Sequence, residues 1–167
     1  QDYADQGRPD YCLSCHASGY DSNTRTYDFE GVVCSSCHIA VTEGEHPPAP
    51  VHVADTPDIC GRCHSGAHAP TYDEWLASEH KVANVDCGDC HTPHNNGLLL
   101  GDVNSTCGDC HQDALVDEIH MGSDMTCVDC HMNRRVSDDH NHVLSTGHTM
   151  NIDPGVCSEC HGNTHLL

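Results

Sequence analysis

The stretch EHKVANVDCGDCH, residues 79–91, holds two cysteines separated by two residues, a histidine directly after them, and a second histidine seven positions before the first cysteine. Its closing five residues recur along the chain. CLSCH (12–16), CSSCH (34–38), CGRCH (60–64), CGDCH (87–91), CGDCH (107–111), CVDCH (127–131) and CSECH (157–161) together use all 14 cysteines. Histidine is 17 of 167 residues, so seven cysteine pairs all followed by His would arise by chance on the order of once in ten million, against the known reading of the motif. The repeat therefore reports a chemistry rather than a composition.

Three chemistries use Cys-x-x-Cys: a redox disulfide, half of a zinc site, and covalent attachment of a c-type haem, which is the reading specific to Cys-x-x-Cys-His. Zinc ribbons take two pairs per metal, so seven pairs leave one unmatched, and zinc does not require His directly after the second Cys. A redox motif normally occurs once beside a βαβ pattern, and a secreted disulfide scaffold scatters its cysteines. The haem reading fits the geometry. Residues i and i+3 share a face of a helical turn, so two thiols reach two substituents on one edge of a porphyrin and the next residue turns its imidazole toward the iron. The attachment residues are then Cys12, Cys15, Cys34, Cys37, Cys60, Cys63, Cys87, Cys90, Cys107, Cys110, Cys127, Cys130, Cys157 and Cys160. The proximal ligands are His16, His38, His64, His91, His111, His131 and His161, and the cofactor complement is seven haem c.

Ten histidines remain for seven sixth positions. His80 and His120 each precede the next motif by seven residues, and His52 and His148 precede theirs by eight and nine. His94, in CHTPH, follows His91 by three, and His165 follows His161 by four. Such a residue cannot easily arch over its own haem, so it would serve a neighbouring one. Of His140 and His142 one is expected to ligate, and His142 is taken. The distal set is His52, His80, His94, His120, His142, His148 and His165, with His46 and His68 the weakest alternatives. Methionine, at 121, 125, 132 or 150, is the competing sixth ligand and would raise the potential.

Two of these histidines end segments that read as helix. After Pro70, Thr71 and Glu74 have capping-box spacing, and Tyr72, Trp75, Leu76 and His80 fall on one face, so a helix is expected over 72–80. In 112–120, Leu115 with Ile119 and Val116 with His120 pair at i, i+4. His80 is read as reaching the far side of a different haem from the one held at Cys87 and Cys90. Residues 79–91 are on this reading a cross-link between two cofactors.

Motif starts lie 22, 26, 27, 20, 20 and 30 residues apart. No interval is long enough for a separate domain, so residues 1–167 read as one seven-haem unit. With one Phe, one Trp and 37% hydrophobic residues including every Cys, side chains alone cannot fill a core. Gly, Pro, Asn and Asp punctuate the intervals, as in EGEHPPAP (43–50) and HNNG (94–97). The expected fold is mostly irregular coil with a few short α-helices, one turn at each motif and almost no β-sheet, nucleated by haem. Six Lys and Arg against 26 Asp and Glu give a net charge of −20, which excludes nucleic acid and disfavours anionic lipid. The longest aliphatic run is Leu98-Leu99-Leu100, far short of a membrane span. A start at Gln1 is read as a processed end, a signal peptide having been removed. Asn104-Ser105-Thr106 has the pattern of a glycosylation sequon.

On these motifs the chain resembles bis-histidine multihaem c-type cytochromes along its whole length. The His ahead of CxxCH, the CHTPH variant and the closing GHTMNIDPGVCSECH (147–161) look like those of small periplasmic carriers and of extracellular cytochromes that polymerise into conductive filaments. The resemblance implies electron transfer along closely spaced haems, with no enzymatic step, since all seven motifs end in His and the one Lys is Lys81. It further implies an extracellular or cell-surface site, copies of the same chain as partners beside redox proteins or extracellular acceptors, and a periplasmic shuttle as the alternative.

Overall fold

The structure, a computed structural model, describes residues 10–38, 56–66, 68–95, 97–116, 125–137 and 143–162. Each motif forms a helical turn. The helices Asp10–His16, Cys87–Cys90, Cys127–His131 and Pro154–His161 and the 3-10 turn Cys34–Ser36 contain motif residues, while Thr56–Gly61 and Val103–Gly108 run into theirs. Three of these turns close in the same way. The residue just before the second cysteine accepts a hydrogen bond from the backbone N–H just before the first: Val33 to Ser36 at 3.2 Å, Asp86 to Asp89 at 2.7 Å, and Thr126 to Asp129 at 2.5 Å. A short polar residue there satisfies a donor that the helix start leaves unpaired.

Between the helices the described chain is coil with three two-stranded antiparallel ladders: Ala17–Ser18 with Phe29–Glu30, His91–Thr92 with Gly97–Leu98, and Arg135–Val136 with Val143–Ser145. The expected fold class holds. Among the described residues the buried hydrophobic side chains are Leu13, Ala17, Trp75 and Val156, and no large side chain is fully enclosed. Tyr11, Phe29, Leu76, Val82, Leu99, Leu144 and Ile152 are exposed. No described helix is long and apolar enough to cross a membrane.

The chain gathers into two compact units, residues 1–63 and 64–167. In the first, Ser18 is the knot: its hydroxyl donates to Gly31 O at 2.7 Å, lies 2.7 Å from Ser36 Oγ, and accepts from Val33 N. The strand leaving the first motif is thereby tied to the second motif. In the other unit, the helix Val103–Gly108 packs on Cys127–His131, which packs in turn on Pro154–His161. Asn104 joins the fifth motif to the sixth, its Oδ1 accepting from Cys127 N at 3.1 Å. The sequon asparagine is half-buried and engaged in holding a motif.

The single helix expected over 72–80 is two. Thr71–Leu76 ends at Ala77, and Ser78 starts Glu79–Val82 as its N-cap, accepting from Lys81 N. Ser78 also donates to Trp75 O at 2.7 Å, so the break is internally satisfied. Leu76 is exposed although it lies in the first helix, and His80 stands on the second helix. Residues Gln112–Val116 form a 3-10 turn, not the first turns of an α-helix.

Candidate haem-binding site

Thiols of different motifs lie beside one another. Burial, then Cys15 and Cys37, push the Cys63 thiol up to about 11, and burial with Cys127 does the same to Cys107. Burial, Asp89 and Cys110 raise Cys90. The neighbourhoods also carry an order: cysteines of the first three motifs converge in one unit, while in the other the fourth lies by the fifth and the fifth by the sixth.

Two of the expected distal histidines lie beside motif histidines. His80 faces His111 with ring centroids 5.9 Å apart and planes at 80°, and His148 faces His91 at 6.2 Å and 30°. Two imidazoles bound to opposite sides of one metal ion, at about 2 Å per metal–nitrogen bond, have centroids about 6 Å apart. Each pair joins a motif histidine to a histidine from another segment. His80 precedes the fourth motif yet meets the fifth, and His148 precedes the seventh yet meets the fourth.

The surroundings of these rings are those of neutral imidazoles, the form that ligates metal. Burial and the neighbouring His111 lower the pKa of His80, and burial and His91 lower that of His148. The buried Nδ1 of His80 has no hydrogen-bond partner, an orphan of the kind a bound group accounts for. His131 places its Nδ1 3.0 Å from Met150 O. A carbonyl only accepts, so the ring is Nδ1–H and its Nε2 lone pair is free for a ligand role. Among the described residues no three His, Cys, Asp or Glu side chains converge as a metal site; the histidines lie in pairs instead. Paired imidazoles, motif thiols on single helical turns and apolar side chains without a core to enter all suit haem c.

Placement of the pairs rests on Trp75 and on the segment 145–150. Trp75 is buried, stacks near Tyr72 at 5.7 Å, lies 5.0 Å under Lys81 Nζ, and donates from its indole N–H to Val85 O at 2.9 Å. It thus holds the His80 helix and the entry to Cys87 together. Glu74 is spaced as the capping-box partner of Thr71, but the helix begins at Thr71 with Pro70 as its N-cap, and a proline has no N–H for such a box to satisfy. The Glu74 carboxylate instead binds Thr146 N, Thr146 Oγ1 and His148 N, the last at 2.8 Å. Burial works against the Glu74 carboxylate, but these donors prevail and hold its pKa below the usual value. Gly147 has φ +80°, and a Cβ there would run into the backbone of Met132. Sequence reasoning missed Glu74, Thr146 and the Met150 carbonyl; none carries a local signal, because each partner is many residues away.

Of the other expected distal ligands, His94 is exposed in the turn of the hairpin that follows its motif, and His68 is exposed. His46, His52, His120, His140, His142 and His165 lie outside the described residues.

No curated protein and no solved structure matches the chain. Residues 2–39 match the cytochrome c554 and c-prime family, and residues 80–115 match the doubled CXXCH motif family. The second match spans His80, the fourth motif and the fifth, the segment whose imidazoles meet in the structure. Carried by four of the seven motifs, these matches support a multihaem c-type cytochrome.

Proposed function

We propose that the chain binds seven haem c groups, one at each Cys-x-x-Cys-His motif, and conducts electrons along them as the subunit of an extracellular filament, without an enzymatic step of its own. The observation that carries the electron-transfer reading is the pairing of His80 with His111 and of His148 with His91. When bound, haem c supplies one-electron chemistry at its iron, and two imidazoles leave that iron no open position for a substrate. The residues then have separable tasks. The cysteines would anchor the haems, and the motif histidines and histidines from other segments would ligate the irons. His52, His94, His120, His142 and His165 are proposed for the remaining haems. On this reading the whole chain behaves as one cofactor-bound unit.

The filament rests on density. Seven motifs in 167 residues, with thiols of consecutive motifs side by side, leave little protein between cofactors, which suits passing electrons end to end more than carrying them singly. Partners would be copies of the chain and a redox protein or extracellular acceptor. Intact-mass measurement of the secreted protein is expected to give the polypeptide plus seven haem groups, and electron microscopy of the same material is expected to show filaments. Fewer than seven groups would remove one motif or more from the reading. Discrete small particles at working concentration would replace the filament with a periplasmic shuttle.

A further inference from the structure

The carboxylate of Glu74 and the hydroxyl of Thr146 form a relay that ends on a ring nitrogen of His148. Thr146 Oγ1 lies 2.7 Å from Glu74 Oε2 and 2.9 Å from His148 Nδ1. A hydroxyl has one proton and an ionised carboxylate has none to give, so the Thr146 proton points to Glu74. Thr146 Oγ1 is then left to accept, and Nδ1 of His148 must be the donor. The relay therefore selects one tautomer, with Nδ1–H directed to Thr146 and the Nε2 lone pair directed away from it. The same carboxylate takes His148 N at 2.8 Å and Thr146 N at 3.0 Å, so backbone and ring of the 146–148 turn are held by one side chain from 72 residues away.

Glu74 is also adjacent to Trp75, whose indole N–H holds Val85 O just ahead of the fourth motif. One helical turn thus holds two segments: Trp75 holds Val85, six residues ahead of His91, and Glu74 holds the backbone of His148. We propose that Glu74, acting through Thr146, is the positioning residue that fixes the tautomer and ring plane of His148 at the haem held by Cys87 and Cys90, and thereby sets that haem's ligand field and reduction potential. An imidazole whose N–H is drawn toward a carboxylate is a stronger donor, and such outer partners orient and tune metal-bound histidines. The proposal rests on His148 being a ligand.

The experiment compares Thr146→Val, Thr146→Ser, Glu74→Gln and His148→Ala in the haem-loaded protein by paramagnetic resonance and potentiometric titration. Thr146→Val keeps the side-chain shape and removes the relay. It is expected to shift the low-spin signal of one haem and raise that haem's potential, or to turn it high-spin, with the other haems unchanged. Thr146→Ser is expected to restore the wild-type signal, and Glu74→Gln to raise the same potential. His148→Ala separates the two levels of inference. If it leaves every haem low-spin, the ligand reading falls. If it yields a high-spin haem while Thr146→Val and Glu74→Gln both superimpose on wild type, the positioning role alone is overturned. Should Thr146→Val fail to load haem, the isosteric Glu74→Gln decides in its place.

Discussion

At the residue scale, a histidine's neighbours in sequence do not identify its partner in space. His80 and His91 sit eleven positions apart in one segment, yet their ring partners are His111 and His148. Because the two pairs share no residue, their loss should be independent. His80→Ala is expected to make the haem at Cys107 and Cys110 high-spin, and His148→Ala the haem at Cys87 and Cys90. The double variant should show the sum of the two high-spin signals, measured by integrated paramagnetic resonance. A double variant with only one high-spin haem would mean that both histidines serve the same site. The motif's interior residues are similarly specific: Ser36, Asp89 and Asp129 close their turns with a local hydrogen bond, whereas Ser14, at the same place in the first motif, donates to Tyr11 O.

At the scale of elements, the segment 145–150 binds two motifs at once. His148 faces the fourth motif, and Met150 O holds the ring of His131 in the sixth. Gly147 makes the double contact possible, since its positive φ and the adjacent Met132 backbone leave no space for a side chain. Gly147→Ala is expected to destabilise the protein by at least about 1 kcal/mol, from left-handed strain and forced separation of the two segments. Thermal unfolding should show a lowered Tm, accompanied by spectral change at the fourth and sixth haems; an unaltered Tm would show that the contact yields freely. The helix break at Ser78 belongs to the same scale. A serine followed by Glu79 is a helix-start signal, but the apolar spacing of Trp75, Leu76 and His80 competes with it. The cap prevailed because Ser78 satisfies donors and acceptors on both sides of the break.

For the whole molecule, charge opposes self-association. A formal −20 makes copies of the chain repel unless ions screen them. The proposed filaments should therefore lengthen as salt rises from about 0.01 M to 0.15 M, over which the screening length falls from about 30 Å to about 8 Å. Light scattering against added salt measures this, and filaments that shorten with salt would point to contacts made by opposite charges.

The sequence by itself determined the chemistry: Cys-x-x-Cys-His is a local unit, complete within one helical turn, so its seven copies, their helical turns and the coil between them were legible without coordinates. It also showed that this chain has too little apolar material for a protein core, in keeping with the few buried side chains among the described residues. Only the tertiary structure decided which imidazole meets which, and that Glu74 serves His148 instead of its own helix. Those relations join residues 31 to 74 positions apart. Over such separations local propensity carries no information, and the outcome depends on how anchored segments pack against one another.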